Sequence, residues 1–177
     1  MVSNTYFYKS KQEITLLLIL AMEKTFTVHY KEHQNQENLS ASERELIKEA
    51  LEAQQKAYAP YSNFQVGAAL LLEDGTIVTG NNQENAAYPS GICAERTAIF
   101  YAQAQYPDKK IKALAVTASA NREQTKQAVY PCGSCRQVLL ESEMRNGEPF
   151  KVICYGTEQI VELPSATSLV PLHFVFK

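Results

Sequence analysis

The sequence has no block of lysines or arginines, no repeat with a period of about 20 residues, and only three histidines. Each absence closes off a class of function. Without a basic run, and with a net charge of −2, nothing favours wrapping around a nucleic-acid backbone. Without a repeat, a solenoid is excluded. His29, His33 and His173 have no ligand-like spacing, so a histidine-built metal site is not expected. Long apolar runs are also missing. The stretch from Ile14 to Met22 is too short for a membrane span, which needs roughly 20 apolar residues. Glu13 and Thr15 break its front edge and no A-x-A cleavage pattern follows it, so an export signal is not expected either. Residues 1–21 read instead as an upstream extension, with Met22 of "MEKTFTVHY" as the natural start.

What remains is an ordinary soluble composition. Apolar residues make up 45% and charged residues 20% of 177, enough for one domain with a full core. From Leu39 the text is regular. "LSASERELIKEALEAQQKAYA" places Leu46, Ile47, Ala50, Leu51 and Ala57 on one helical face, opened by a capping box of Ser40 and Glu43. Pro60 stops it. "FQVGAALLLEDGTIVTGNN" predicts a hairpin turning at Asp74-Gly75. A loop leads to a helix from about Cys93 to Gln103. "IKALAVTA" predicts a buried strand, and a second short helix runs from Cys132 to about Met144, ended at Asn146-Gly147. "FKVICY" is a further buried strand, followed by a short tail. The expectation is an α/β fold, a layered sheet covered by helices, with residues 1–38 as an N-terminal extension and 39–177 as a single domain.

The four cysteines, Cys93, Cys132, Cys135 and Cys154, sit in a chain expected in the cytoplasm, where paired cysteines read as metal ligands or redox groups. Cys132 and Cys135 have the C-x-x-C spacing that lets two sulfurs reach one ion. Cys93 can supply a third ligand from the other helix start. Helix N-termini stabilise thiolates, and three protein ligands leave a fourth zinc position open for chemistry. Three thiolates on Zn²⁺ give a net charge of −1, so a compensating donor is expected. Arg96, one turn past Cys93, is favoured over Arg136. Glu95 is set to lean over the open position and move protons; its plainer reading is a first-turn acid favoured by the helix dipole. Cys154 reads as a buried apolar side chain.

C-x-E followed by P-C-x-x-C is the cysteine form of the zinc nucleobase-deaminase signature. "YSNFQVGAALL", "NNQENAAYPSGICAERTA" and "PCGSCRQ" resemble cytidine deaminases of the short, single-domain type, over about Ala57 to Met144. The resemblance implies a three-layer cytidine-deaminase-like fold, a mixed central sheet flanked by helices. It implies hydrolysis of cytidine, and of 2'-deoxycytidine, to the uridine product and ammonia, in pyrimidine salvage. Cys93, Cys132 and Cys135 match the ligands of one zinc per subunit and Glu95 the proton shuttle. Phe64 matches the aromatic packed on the base, the Ala94 backbone the group fixing the base edge, and Asn82 with Glu84 the pair on the ribose hydroxyl. Ala86, Tyr88 and a C-terminal aromatic, Phe174 with Phe176 as competitor, match positions reaching an adjacent subunit's site. A cytoplasmic homotetramer with active sites at subunit interfaces follows, taking a free nucleoside and neither nucleic acid nor membrane.

Three rivals stand beside this reading. One is a non-catalytic Cys₄ zinc domain that recruits Cys154. The others keep the chemistry and change the substrate, to a base in DNA or RNA or to another aminated nucleoside.

Overall fold

Capping decides where the first helix begins. In the computed structural model, which describes residues 23–176, the Glu43 amide donates to Ser40 Oγ at 3.2 Å. The Ser40 amide donates in return to Glu43 Oε2 at 2.7 Å. This reciprocal box starts α1 (Ala41–Gln54). The helix buries Leu46, Ile47, Ala50 and Ala53 and half-buries Leu51. Ala57, expected on the same face, lies beyond the helix end. Hydrogen bonds from outside draw the chain away first: the Tyr58 amide donates to Asn82 O, and Glu84 N donates to Tyr58 O.

A seven-stranded mixed sheet stands at the centre: β1 (Lys31–His33), β2 (Phe64–Leu72), β3 (Ile77–Asn81), β4 (Ile111–Ala120), β5 (Glu123–Gln124), β6 (Lys151–Tyr155) and β7 (Ile160–Leu163). The strand order is β1-β7-β6-β4-β2-β3, with β5 paired to β4. Among these strands β4 and β6 run parallel, and the other pairs are antiparallel. The β2–β3 hairpin turns at Asp74-Gly75, where Gly75 has φ 86, a conformation cheap only for glycine. Alternation along β2 separates two cores. Ala69 and Leu71 face α1, whereas Ala68 and Leu70 face the opposite layer.

That opposite layer holds α2 (Ala94–Gln105) and α3 (Gly133–Asn146). α3 carries the crossover between the parallel strands β4 and β6 and ends at Gly147, φ 70, as a left-handed cap. Glu143 of α3 is buried and accepts from the amides of Phe150 (3.1 Å), Ala166 (2.7 Å) and Thr167 (3.2 Å) and from Ser165 Oγ at 2.6 Å. It pins the 3-10 turn Ala166–Leu169 to the helix. The sequence offered only a tail after "FKVICY". The structure adds β7 there and β1 ahead of Leu39. Residues 1–21, read as an upstream extension, lie outside the described residues. Among the described residues, no helix is long and apolar enough to cross a membrane.

Candidate active site

Two helix starts meet, and each begins on a cysteine. Cys93 is the N-cap of α2 and Cys132 the N-cap of α3, both extended and neither using its sulfur to cap the helix. Cys135 is in the first turn of α3 and fully buried. The three Sγ atoms lie within 4.8 Å of one another, and Cys93 Sγ is 3.8 Å from Cys132 Sγ. Tetrahedral zinc, with Zn–S near 2.3 Å, separates its sulfurs by about 3.8 Å. The trio therefore fits that ion. The sulfurs also share charge: a hydrogen bond from the Cys135 thiol, and then Arg96, hold Cys93 down to about 5. The same bond and burial push Cys135 up. Arg96 sets Nη2 3.6 Å from Cys93 Sγ. Arg136 turns elsewhere, donating to Pro131 O at 2.8 Å and Leu169 O at 3.2 Å.

Glu95 is the second residue of α2 and only 4% exposed. Burial raises its carboxyl, opposed by a backbone hydrogen bond, and the neighbouring Cys93 raises it further. So the carboxyl borders the sulfurs from inside the protein. Cys154 stays in β6, fully buried among apolar side chains, its thiol pushed up to about 12 by burial. It is outside the sulfur group.

Beside the trio a cleft of about 270 Å³ is lined by Asn82, Glu84, Tyr88, Ile92, Cys93 and Arg96, among others. Asn82 accepts from Val66 N at 2.7 Å through Oδ1 and donates to Phe64 O at 2.9 Å through Nδ2. One of its amide hydrogens stays available. Its bond to Phe64 ties the aromatic at the head of β2 to the cleft. Gln83 and Ile92 exchange both backbone bonds, at 2.9 and 3.0 Å, and so lock this loop to the residue before Cys93. Ala94, fully buried, is the first residue of α2. Ala86 is exposed; neither it nor Phe174 is in the cleft lining. Tyr88 does line the cleft, yet it is 82% exposed, and Phe174 is 71% exposed. Sequence reasoning missed Ser62, whose hydroxyl donates to Glu84; "PYSNF" reads locally as a turn, with no sign of a partner so far along the chain.

The family described as "Cytidine and deoxycytidylate deaminase zinc-binding region" matches residues 40–147. The chain belongs to this family. Within it, the chain is 52% identical over 96 residues to a cytidine deaminase of Halalkalibacterium halodurans, covering 54% of this chain and 68% of that one. It is 39% identical over 137 residues to a probable cytidine deaminase of Dictyostelium discoideum, covering 77% and 84% of the two chains. A crystal structure of cytidine deaminase from Burkholderia pseudomallei superposes with a TM-score of 0.62 at 41% identity, over 74% of this chain and 98% of that one. The zinc-binding family fits the sulfur trio, and the solved relative shares the mixed sheet flanked by helices.

Proposed function

We propose that this protein is a zinc-dependent deaminase that hydrolyses cytidine, and also 2'-deoxycytidine, to the uridine product and ammonia. The observation that carries this is the buried Glu95 carboxyl set against three convergent cysteine sulfurs. Cys93, Cys132 and Cys135 would hold zinc, which when bound would supply Lewis-acid activation of water. Arg96 donates to the Cys93 sulfur and draws off part of the anionic charge of the thiolates. Glu95 takes a proton from water as its oxygen bonds to C4 of the base, and delivers that proton to N3. As the C4–N4 bond breaks, Glu95 takes the remaining proton from the C4 hydroxyl, which becomes the carbonyl of the uridine product, and passes it to the departing amino nitrogen, which leaves as NH₃. The Ala94 backbone holds the base edge, Phe64 packs on its face, and Asn82 and Glu84 bind the ribose hydroxyl as donor and acceptor.

A free nucleoside suits this site better than a strand of nucleic acid: 17 basic residues face 19 acidic ones, and strand binding needs a positive groove. Two aromatics as exposed as Tyr88 and Phe174 support closure of the cleft by neighbouring copies in a homotetramer, to which Ala86 also contributes. Four free thiols support a reducing cytoplasm, and the reaction serves pyrimidine salvage.

The test is an assay of zinc-loaded protein with cytidine. Loss of the cytosine absorbance band with one ammonia released per uridine formed is expected. Absence of turnover with both cytidine and 2'-deoxycytidine overturns the assignment.

A further inference from the structure

Glu84 can recognise a sugar hydroxyl only if its carboxylate is held in one orientation, and the turn Ala59–Asn63 holds it. The amides of Tyr61 (2.9 Å) and Ser62 (3.3 Å) both donate to Oε2. The Ser62 hydroxyl donates to Oε1. The same hydroxyl oxygen accepts from Phe64 N at 3.0 Å. A hydroxyl has one proton to give. Here that proton is committed to Glu84, and a lone pair is committed to the residue expected to stack on the base. The turn is itself anchored: Asn63, in the left-handed region at φ 53, donates through its amide to Ala59 O at 3.1 Å and accepts from Asn121 N at 2.9 Å. Three donors leave roughly one of the carboxylate's four acceptor sites open.

We infer that Ser62 is a positioning residue for the nucleoside sugar: its hydroxyl locks Glu84 in the rotamer that accepts the ribose hydroxyl and couples that lock to Phe64. The inference rests on the proposed cytidine deaminase activity. Without the Ser62 hydroxyl, Oε1 loses its donor and the carboxylate turns about its remaining bonds to the two amides. The loss falls on binding of the sugar, because the hydrogen bonds of Ser62 run to Glu84 and Phe64. Ser62 is exposed, so a threonine hydroxyl fits at the same place with its extra methyl in solvent.

The experiment measures kcat and KM of wild type, Ser62→Ala and Ser62→Thr with cytidine and with 2',3'-dideoxycytidine, which lacks the ring 2'- and 3'-hydroxyls. Zinc content and thermal melting are followed in parallel. Ser62→Ala is expected to raise KM for cytidine about tenfold, the size of one lost charge-assisted hydrogen bond, with kcat within about twofold. On the dideoxy substrate its KM stays within about twofold of wild type, and threonine restores the cytidine value. Equal losses on both substrates, no loss on either, or failure of threonine to restore the cytidine KM overturns the inference. Wild type inactive on cytidine overturns the proposed function itself, and this inference with it. Should Ser62→Ala misfold, Ser62→Cys, of similar size with a much weaker donor, takes its place with the same expectations.

Discussion

Cys135 and Cys154 are both fully buried, and their surroundings assign them opposite duties. Cys135 is in the first turn of α3, within reach of two other sulfurs. Cys154 is in mid-strand, and burial keeps its thiol protonated. Cys154→Ala is therefore expected to retain one zinc per chain and full turnover, losing about 1–2 kcal/mol of stability to the small cavity. Cys135→Ala is expected to lose the metal and the activity together. Metal analysis beside thermal melting checks both, and zinc lost from Cys154→Ala would restore the Cys₄ reading. At this scale the sequence was most informative where spacing is local. C-x-E and C-x-x-C announce themselves because each lies within one helical turn. Ser62 and Glu143 do not: each finds its partners more than twenty residues away or across several loop amides, and no pattern along the chain records that.

The element that carries Cys93 and Glu95 is seated on a glycine. A Cβ at Gly80 of β3 would stand 2.5 Å from both Ala94 O and Ala98 N, so α2 can lie against the strand only because no side chain intervenes. Gly80→Ala is expected to push the start of α2 outward, costing about 1–3 kcal/mol and weakening zinc affinity because Cys93 moves with the helix. Urea denaturation and metal competition read the two effects; an unchanged zinc affinity would show that the trio does not depend on this seat. The major elements were legible in sequence. The Ser40–Glu43 box, the Asp74-Gly75 turn, the Asn146-Gly147 stop and the two apolar runs at β4 and β6 each carry their own signal. The edges were not. β7 is four residues long and β1 three, too short for a period, and they exist by pairing with each other and with β6. The end of α1 was misplaced for the same reason, since bonds from Asn82 and Glu84, remote in sequence, set it.

Across the whole molecule three carboxylates, Glu143 and Glu162 buried and Glu43 half-buried, tie together segments far apart in the sequence. Glu43 of α1 pairs with Lys151 of β6, and Glu162 of β7 with Lys31 (3.4 Å) and Lys151 (3.0 Å). Glu143 joins α3 to the C-terminal turn. Burial raises each carboxyl, but hydrogen bonds and cations outweigh it. Glu43 is held at about 2 by Lys151 and Ser40, Glu143 below its usual value by Ser165 and Thr167, and Glu162 by Lys151 and Lys31. Folded values below the unfolded value of about 4.3 mean that this stability is complete above that pH and is lost as pH falls through the folded values. The urea midpoint is expected to fall as the pH drops below about 4. Glu143→Gln, unable to offer the carboxylate, should start lower and show a shallower fall. A variant as acid-sensitive as wild type would remove Glu143 from this account.

If a buried carboxyl moves protons beside a three-sulfur zinc site, Glu95→Ala separates metal binding from turnover, and zinc content assayed beside cytidine deamination reads both. The expected protein keeps one zinc per chain and its fold while kcat falls by about 10²–10⁴. Wild-type turnover in a folded, zinc-loaded Glu95→Ala protein would contradict the account.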